Sequence, residues 1–265
     1  MAFRMGTHVD QDAPIAGAAA SGARLAQLFL GNPQSWKGPE VVYPGGAAAL
    51  KADAEAADLH LYVHAPYLIN VATTNNRVRV PSRRLLQQTV DAAAQIGAQA
   101  VVVHGGHVTA ADEPEAGFEN WRKCVDRLNL PVPILIENTA GGANAMARRL
   151  ERIDRLWDAL AGSDNIGSVG FCLDTCHAHA GGEELVGLVE RVKAITGRID
   201  LIHCNDSRDG FNSGADRHAN LGQGQADPDG IIAVVSEAAA PVVLETPGGP
   251  EQHLLDLAWL RERLS

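Results

Sequence analysis

The sequence predicts an α/β fold, a closed (β/α)8 TIM barrel with its active site at the C-terminal rim of the strands, formed by one domain over residues 1–265. Three observations predict it. The length of 265 residues is near the roughly 250 typical of such barrels. The 46% share of hydrophobic residues is ample for one large core. Short apolar runs alternate with helical patterns, as parallel strands joined by right-handed crossovers require. A doubly wound open sheet is the structural alternative.

The predicted strands are eight short apolar runs. In chain order they end at His8, Leu30, His64, His104, Asn138, Asp174, Cys204 and Thr246. Between them, apolar residues recur at the three- and four-residue spacing of helices packed on one face. The clearest such segments are 82–99, 118–130, 146–162, 184–197 and 251–264. The Ala-rich segment 16–22 predicts a tight helix with small residues rather than a linker.

The composition of the chain limits the cellular compartment and the kinds of binding partner that we expect for this protein. The net charge of -10 gives no whole-chain indication of a nucleic-acid or membrane partner. The four cysteines (Cys124, Cys172, Cys176 and Cys204) lie in or beside apolar segments, unlike a disulfide framework. The start MAFRMGTHVD lacks the apolar core of a signal peptide, and no apolar run approaches the ~20 residues of a membrane helix. We therefore expect a reduced, cytoplasmic, monomeric protein without a membrane partner.

Side chains that bind metals stand at the ends of seven predicted strands. They are His8, His64, His104, Glu137, Asp174, His203 and Glu245. A lone histidine there is usually hydrogen-bonded, and a lone carboxylate usually caps the next helix. Seven such groups at one rim would be costly to bury without a shared cation. Imidazole and carboxylate ligands favour zinc, manganese or iron over calcium, and an open mixed set is typical of catalytic zinc.

Three further residues extend this predicted metal site. Asp216 and His218 are two apart in the loop GADRHANLGQG, so both can point to one side of an extended segment. His177 lies in the predicted loop after the sixth strand, and together the three indicate another metal position. The spacing of Cys172 and Cys176 could suggest a thiolate site, but Cys176 belongs to the turn after Asp174. We interpret both cysteines as packing residues.

The chain resembles the endonuclease IV family of apurinic/apyrimidinic (AP) endonucleases, the deoxyribonuclease IV enzymes. The resemblance extends from about residue 6 to residue 247 and is carried by HAPYLIN, VVVHGGH, ILIENTAGG, CLDTCHAHAGG, HCNDS, DRHANLGQG and VVLETP. It implies a xylose-isomerase-like barrel with three Zn2+ ions per chain, with Mn2+ or Fe2+ as alternatives at some positions. Such an enzyme hydrolyses the phosphodiester 5′ to an abasic site in double-stranded DNA, leaving a 3′-hydroxyl and a 5′-deoxyribose phosphate, and also removes 3′-blocking groups. This is base excision DNA repair.

The resemblance also implies a division of the ligands. The first zinc would be held by His64, His104 and Glu137; the second by Glu137, Asp174, His203 and Glu245; the third by His177, Asp216 and His218. Glu137 would bridge two ions and be the catalytic residue. Three divalent ions outweigh the four ligand carboxylates, so the filled rim would be electropositive despite the acidic chain.

DNA contacts are predicted from rim loops. The candidate backbone contacts are Arg77, Arg79, Arg83, Arg84, Lys37, Arg208 and Arg217, because cations there can meet phosphates. The resemblance implies that Tyr67 and Leu68 insert into the DNA from one side. On the other side, Gln34 stands where the family commonly has Arg, and the loop after His177 is shorter than in many members. Both departures concern DNA affinity rather than chemistry.

Two other functions share parts of this pattern. Metal-dependent sugar isomerases and epimerases of the related barrel family use strand-end carboxylates and histidines, but they do not need the trio His177, Asp216 and His218. A catalytically inactive, metal-dependent DNA-binding module is the non-enzyme alternative. The complete ligand set counts against it.

Overall fold

Eight parallel strands form a closed barrel in the computed structural model, which describes residues 4–142 and 144–265. Around the barrel the order is β1, β10, β7, β6, β5, β4, β3 and β2. The barrel strands are β1 (Met5–His8), β2 (Leu25–Leu28), β3 (His60–His64), β4 (Val101–His104), β5 (Ile134–Glu137), β6 (Val169–Asp174), β7 (Leu201–His203) and β10 (Val242–Leu244). Two short strands, β8 (Asp206–Ser207) and β9 (His218–Ala219), form an antiparallel ribbon. All eight predicted strands and the closed barrel are confirmed.

Helices separate the strands along the chain. In the described part of the chain they are α1 (Pro14–Ala20), α2 (Gly46–Ala56), α3 (Asn76–Gln95), α4 (Pro114–Val125), α5 (Leu150–Leu160), α6 (Thr175–Gly181), α7 (Leu188–Thr196), α8 (Pro228–Ala238) and α9 (Pro250–Arg263). The predicted helical segments are confirmed in type. No helix among these is long and apolar enough to cross a membrane.

Several helix boundaries differ from the sequence prediction, and hydrogen bonds explain two of these differences. The helix expected from residue 146 begins at Leu150, because Met146 and Ala147 pair with loop backbone, at Gly106 O (2.9 Å) and Thr139 N (3.1 Å). Arg77 and Arg79 lie within α3 rather than in a loop before the predicted helical segment 82–99, because the Asn75 side chain caps this helix by accepting the Arg77 N–H. A side-chain oxygen at this position satisfies a backbone donor that a helix end otherwise leaves free.

Alternation along the strands divides the buried side chains between two faces. Leu25, Tyr62, Ala100, Val102, Leu135, Cys172, Leu201 and Val243 form a small cluster of their own. The intervening strand residues, such as Val63, Val103, Ile136 and Ile202, join the large core shared with the helices. Since successive strand residues point to opposite faces, the small cluster fills the barrel interior and the large core lies between sheet and helices.

Candidate metal centre

A polar layer lies directly above the apolar cluster inside the barrel. On seven strands, the residue two places beyond an interior apolar side chain is polar, and His8 holds the same position on β1. The layer consists of His8, Gln27, His64, His104, Glu137, Asp174, His203 and Glu245. Its register is fixed by neighbouring strands, which place His104 beside Glu137 and Asp174 beside His203. The sequence predicted this convergence for all except Gln27.

Glu137 lies at the centre of the layer and is fully buried. Its Oε2 is 3.3 Å from Nε2 of both His64 and His104. Its Oε1 is 2.8 Å from Nδ1 of His203. One carboxylate therefore faces ligand-type atoms on two sides, as a bridging ligand would.

Two groups of candidate ligands made of imidazoles and carboxylates alone share Glu137. The first group is His64, His104 and Glu137, and the second is Glu137, Asp174, His203 and Glu245. Within each group the donor atoms lie within 4.8 Å of one another. His8 is outside both groups, with its Nδ1 3.8 Å from Glu245 Oε1.

The third group forms where α6 meets the β8–β9 ribbon. His177 lies in the first turn of α6 rather than in a loop, because the Asp174 carboxylate caps this helix and accepts the His177 N–H at 2.6 Å. Asp216 Oδ1 is 3.0 Å from His177 Nε2 and 3.4 Å from His218 Nε2. Asp174 also belongs to this group, with Oδ2 3.7 Å from His218 Nε2. Asp174 thus adjoins the second and third groups, which the sequence pattern did not indicate.

Hydrogen bonds orient four of these histidines in the way that outer hydrogen bonds orient metal ligands. Each turns one ring nitrogen toward an oxygen that can only accept: His64 Nδ1 to Ala65 O (2.7 Å), His177 Nδ1 to Asn138 O (2.9 Å), His218 Nδ1 to Glu245 O (3.2 Å) and His203 Nε2 to Gln27 Oε1 (2.8 Å). That nitrogen must carry the proton, so the other nitrogen faces the carboxylates. Outer hydrogen bonds of this kind set the tautomer in metal sites.

Unsatisfied atoms and charges show that a cation fits this centre. Nε2 of His177 and of His218 is buried and has no hydrogen-bond partner among the described residues, although Asp216 Oδ1 is close to both. Burial raises the pKa of Glu245, but the charges of His203, His64 and His218 together outweigh it and bring that pKa down to about 2. Burial likewise raises the pKa of Glu137, yet His203 and His104 hold it well below its ordinary value. Both glutamates stay ionised and need positive charge beside them, whereas burial raises the pKa of Asp174.

Three amide side chains hold this centre together, and sequence analysis did not identify them. Gln27 donates to Glu245 Oε1 at 2.6 Å and accepts from His203. Asn205 donates to Asp174 Oδ2 at 2.7 Å, and Asn138 Oδ1 accepts the Asp174 N–H at 2.7 Å. Strand alternation could have identified Gln27, because it lies two residues beyond the interior Leu25 and opposite His8.

Cys172 lies immediately below the centre. Its fully buried side chain belongs to the interior apolar cluster, but its Sγ is also within 4.8 Å of donor atoms of Glu137 and His203. Burial raises the pKa of this thiol to about 12, so the neutral form packs at this position. Cys172 and Asp174 are two residues apart on β6 and therefore share its interior face.

A cavity of about 350 Å³ opens above the metal centre. Candidate ligands from all three groups line it together with residues of the rim loops: His64, Tyr67, His104, His177, Arg208, Asp216, Arg217, His218, Glu245 and Pro247. Tyr67 is 52% exposed, and its ring is 5.4 Å from that of His64 and 5.9 Å from that of His104. An aromatic side chain therefore stands at the mouth of the site.

The other predicted DNA-contact residues near Tyr67 differ in exposure. Leu68 is half-buried and packs on the large core, so it is less available than Tyr67. Gln34 is exposed, and its loop lies beside Tyr67, since the Tyr67 N–H donates to Pro33 O at 3.1 Å. The two segments are neighbours on the rim.

The predicted arginine contacts are placed differently from one another. Arg208 and Arg217 both line the cavity. Arg208 donates from Nε to His218 O at 2.9 Å, whereas Arg217 is bound by both carboxylate oxygens of Asp209. Arg77 is exposed in the first turn of α3 and has no ion pair within the described ranges. Of these three, only Arg217 forms an ion pair within the described part of the chain.

Comparisons with known proteins identify related barrels. Residues 15–263 match the family model described as xylose isomerase-like TIM barrel. A protein named probable endonuclease 4 from Mycobacterium bovis is 57% identical over 259 residues, which cover 98% of each chain. The crystal structure of endonuclease IV from Thermus thermophilus superposes with a TM-score of 0.84 at 30% identity, covering 98% of each chain. A D-tagatose 3-epimerase-like protein has a TM-score of 0.78 at 17% identity, over 98% of this chain and 97% of its own, which shows a common fold alone.

Proposed function

This chain belongs to the endonuclease IV family of xylose isomerase-like TIM barrels, and we propose that it is a zinc-dependent AP endonuclease of base excision DNA repair. It hydrolyses the phosphodiester 5′ to an abasic site in double-stranded DNA, giving a 3′-hydroxyl and a 5′-deoxyribose phosphate. It also removes 3′-blocking groups. The enzyme works as a monomer with one domain, residues 1–265.

The observation that carries this proposal is the presence of three overlapping ligand groups in one cavity. An epimerase-type reaction does not need the third group, in which Asp216 lies between His177 and His218. A phosphodiester brings several oxygens and a negative charge to the site, so a further cation position suits it. The near-full-length relatives named as endonucleases support the same choice.

The ligand residues would hold three Zn2+ ions as the three groups suggest. His64, His104 and Glu137 hold the first; Glu137, Asp174, His203 and Glu245 the second; His177, Asp216 and His218 the third. When bound, close divalent ions supply a hydroxide near neutral pH and stabilise charge on the attacking and leaving oxygens of an in-line displacement. Glu137 is the catalytic residue because its two oxygens face separate groups.

The remaining residues of the cavity orient the DNA. Tyr67 covers the mouth beside His64 and His104 and can fill the space that an abasic nucleotide leaves in the stack. Such a nucleotide is extruded at a lower cost than a normal one because it has no stacked base to lose. Arg208, with its Nε held by His218 O, presents its remaining donors to a phosphate. Arg217 is oriented by Asp209.

Two measurements on the same preparation test this function. Protein purified without chelator should contain close to three zinc ions per chain and should incise a duplex containing a tetrahydrofuran abasic analogue on the 5′ side. An undamaged duplex of the same sequence is the substrate control, and D-tagatose tests the isomerase alternative. Fully active protein with a stable content near one ion, or sugar epimerisation without incision, would contradict the proposal.

Removing the Tyr67 ring should weaken recognition of abasic DNA without changing the metal content. We expect Tyr67→Ala to lose roughly 1 to 3 kcal/mol of binding free energy, the range for losing a base–aromatic stack.

Gln34→Arg should tighten binding and steepen its salt dependence by about one counterion. Affinity for an abasic duplex at several salt concentrations measures both effects.

The control for Tyr67 is Tyr67→Phe, which keeps the ring and should bind like the wild type. If Tyr67→Ala also binds like the wild type, and Gln34→Arg leaves the salt slope unchanged, these loops do not contact DNA as proposed.

A further inference from the structure

A pair of arginines on the rim is not used by the site described above. Arg148 and Arg149 lie between β5 and α5, and both guanidinium groups donate to one oxygen, Asn212 Oδ1, at 3.2 Å and 2.8 Å. We infer that Arg148, Arg149 and Asn212 form a binding site for one backbone phosphodiester of DNA beside the metal centre. This inference rests on the proposed function, since it names a further part of the same substrate.

The two positive charges are close together and uncompensated. Since both guanidinium groups contact the same oxygen, their nearest nitrogens are at most about 6 Å apart, a distance at which like charges repel. No carboxylate of residues 4–142 and 144–265 is within 4.0 Å of either group. Glu183, on the adjacent segment, instead accepts from Leu150 N and pairs with Arg191.

Most hydrogen-bond donors of the pair remain unused. Arg149 donates once more, to Gly182 O at 2.8 Å, and Arg148 Nε is buried with no partner among the described residues. Within the described ranges, every acceptor of the pair is a neutral amide or carbonyl oxygen. Guanidinium groups prefer carboxylate or phosphate, whose paired oxygens match their planar donors, so an anion is the missing partner.

Asn212 holds the pair in position from the loop that carries the third group. Its backbone N–H donates to His179 O at 3.0 Å, and its φ of 60° is in the left-handed region, where asparagine is one of the few tolerated residues. Arg148 also lies beside Gly214, two residues before Asp216. The pair is therefore joined to the rim at the third group.

The location favours DNA over a small anion as the ligand. The hydrogen bonds to Asn212 lie on the exposed surface rather than in a closed cavity, so the site can accept a phosphate that is part of a long chain. A duplex that places one phosphodiester in the metal centre brings others along the rim. Two cations near the backbone also offset the repulsion between DNA and a chain of net charge -10.

Neutralising the pair should reduce the salt dependence of DNA binding. Loss of one phosphate contact lowers the slope of log K against log salt by about 0.9, which corresponds to roughly eightfold weaker binding near 0.1 M salt. We expect this for Arg148→Gln/Arg149→Gln, measured with abasic and with undamaged duplexes. The matched control is Arg261→Gln/Arg263→Gln, which removes the same charge from the end of α9, where Arg261 donates to Gly22 O, and should keep the wild-type slope.

Asn212→Asp separates DNA binding from structural support. A carboxylate between the two guanidinium groups keeps their hydrogen bonds and compensates their charge, so the melting temperature should stay or rise while DNA affinity and salt slope fall. A purely structural pair would give unchanged DNA binding in this variant. That result, or a wild-type slope in the double Gln variant, would overturn the inference.

Inorganic phosphate distinguishes the two sources of this anion. Inorganic phosphate at concentrations far above that of the DNA should compete weakly, and equally in the wild type and the double Gln variant. The reason is that a single phosphate ion, without the rest of the DNA chain, gains little binding free energy at this site. Strong competition in the wild type alone would instead identify a free-phosphate site and overturn the DNA assignment. If the wild type bound no abasic DNA at all, the proposed function itself would be refuted. If the wild type incised abasic DNA and the variants bound DNA as the wild type does, only the arginine site would be refuted.

Discussion

Glu137→Gln should lose about two metal ions per chain and nearly all incision activity. Glutamine keeps the volume of the side chain but removes its charge. In the wild type, Glu137 Oε2 faces His64 and His104 at 3.3 Å, and Oε1 faces His203 at 2.8 Å. An uncharged amide cannot bridge two cations, and it leaves buried imidazoles without their carboxylate. We expect kcat to fall on the order of 10³-fold or more, since losing even one charge-stabilising group costs 10²–10³.

Metal analysis and single-turnover incision measure these two effects separately. Glu40→Gln serves as the control, because Glu40 is an exposed residue whose ion-pair partner among the described residues is Lys37 alone, and its change should leave both quantities intact. A Glu137→Gln protein with full metal content and normal turnover would contradict the bridging role.

His218→Ala should remove one ion and spare the other two. His218 reaches only the third group, with its Nε2 3.4 Å from Asp216 and 3.7 Å from Asp174, and it shares no ligand group with Glu137. Loss of a position that stabilises charge on the phosphate should lower kcat by about 10²- to 10³-fold with a smaller change in KM. Asp216→Ala should behave in the same way.

His107→Ala is the matched control for His218→Ala. His107 is another rim histidine, but it is exposed and outside the three groups, so its loss should leave metal content and kcat unchanged. If His218→Ala lost two or more ions, or none, the assignment of His218 to a separate third position would be wrong.

The residues that converge at the rim were predictable because two simple regularities act together. Side chains alternate along a strand, so Leu135 and Glu137, or Leu201 and His203, share the interior face. A closed parallel barrel then brings all strand ends to one rim. Neither step depends on the details of the loops, which explains why the strands and the proposed ligands on them could be predicted from the chain.

Loop and helix positions were less predictable because they depend on tertiary contacts. His177 was expected in a loop, but a short helix capped by Asp174 carries it. Arg77 was expected in a loop, but the cap formed by Asn75 includes it in α3. Local capping choices compete with several alternatives of similar free energy, and packing against the rim decides between them.

The amino-acid sequence by itself determined the barrel, the polar layer at its rim and the family of this protein, since periodicity and ordered motifs are local properties. Only the tertiary structure decided which partners each polar group has. It joined Gln27 to His203 and Glu245, placed Asp174 between two ligand groups, paired Arg217 with Asp209, and left Arg148 and Arg149 without a carboxylate among the described residues. Apart from Arg217 and Asp209, these partners lie far apart in the chain, and the energies of all these pairings depend on distances and burial that no local pattern contains.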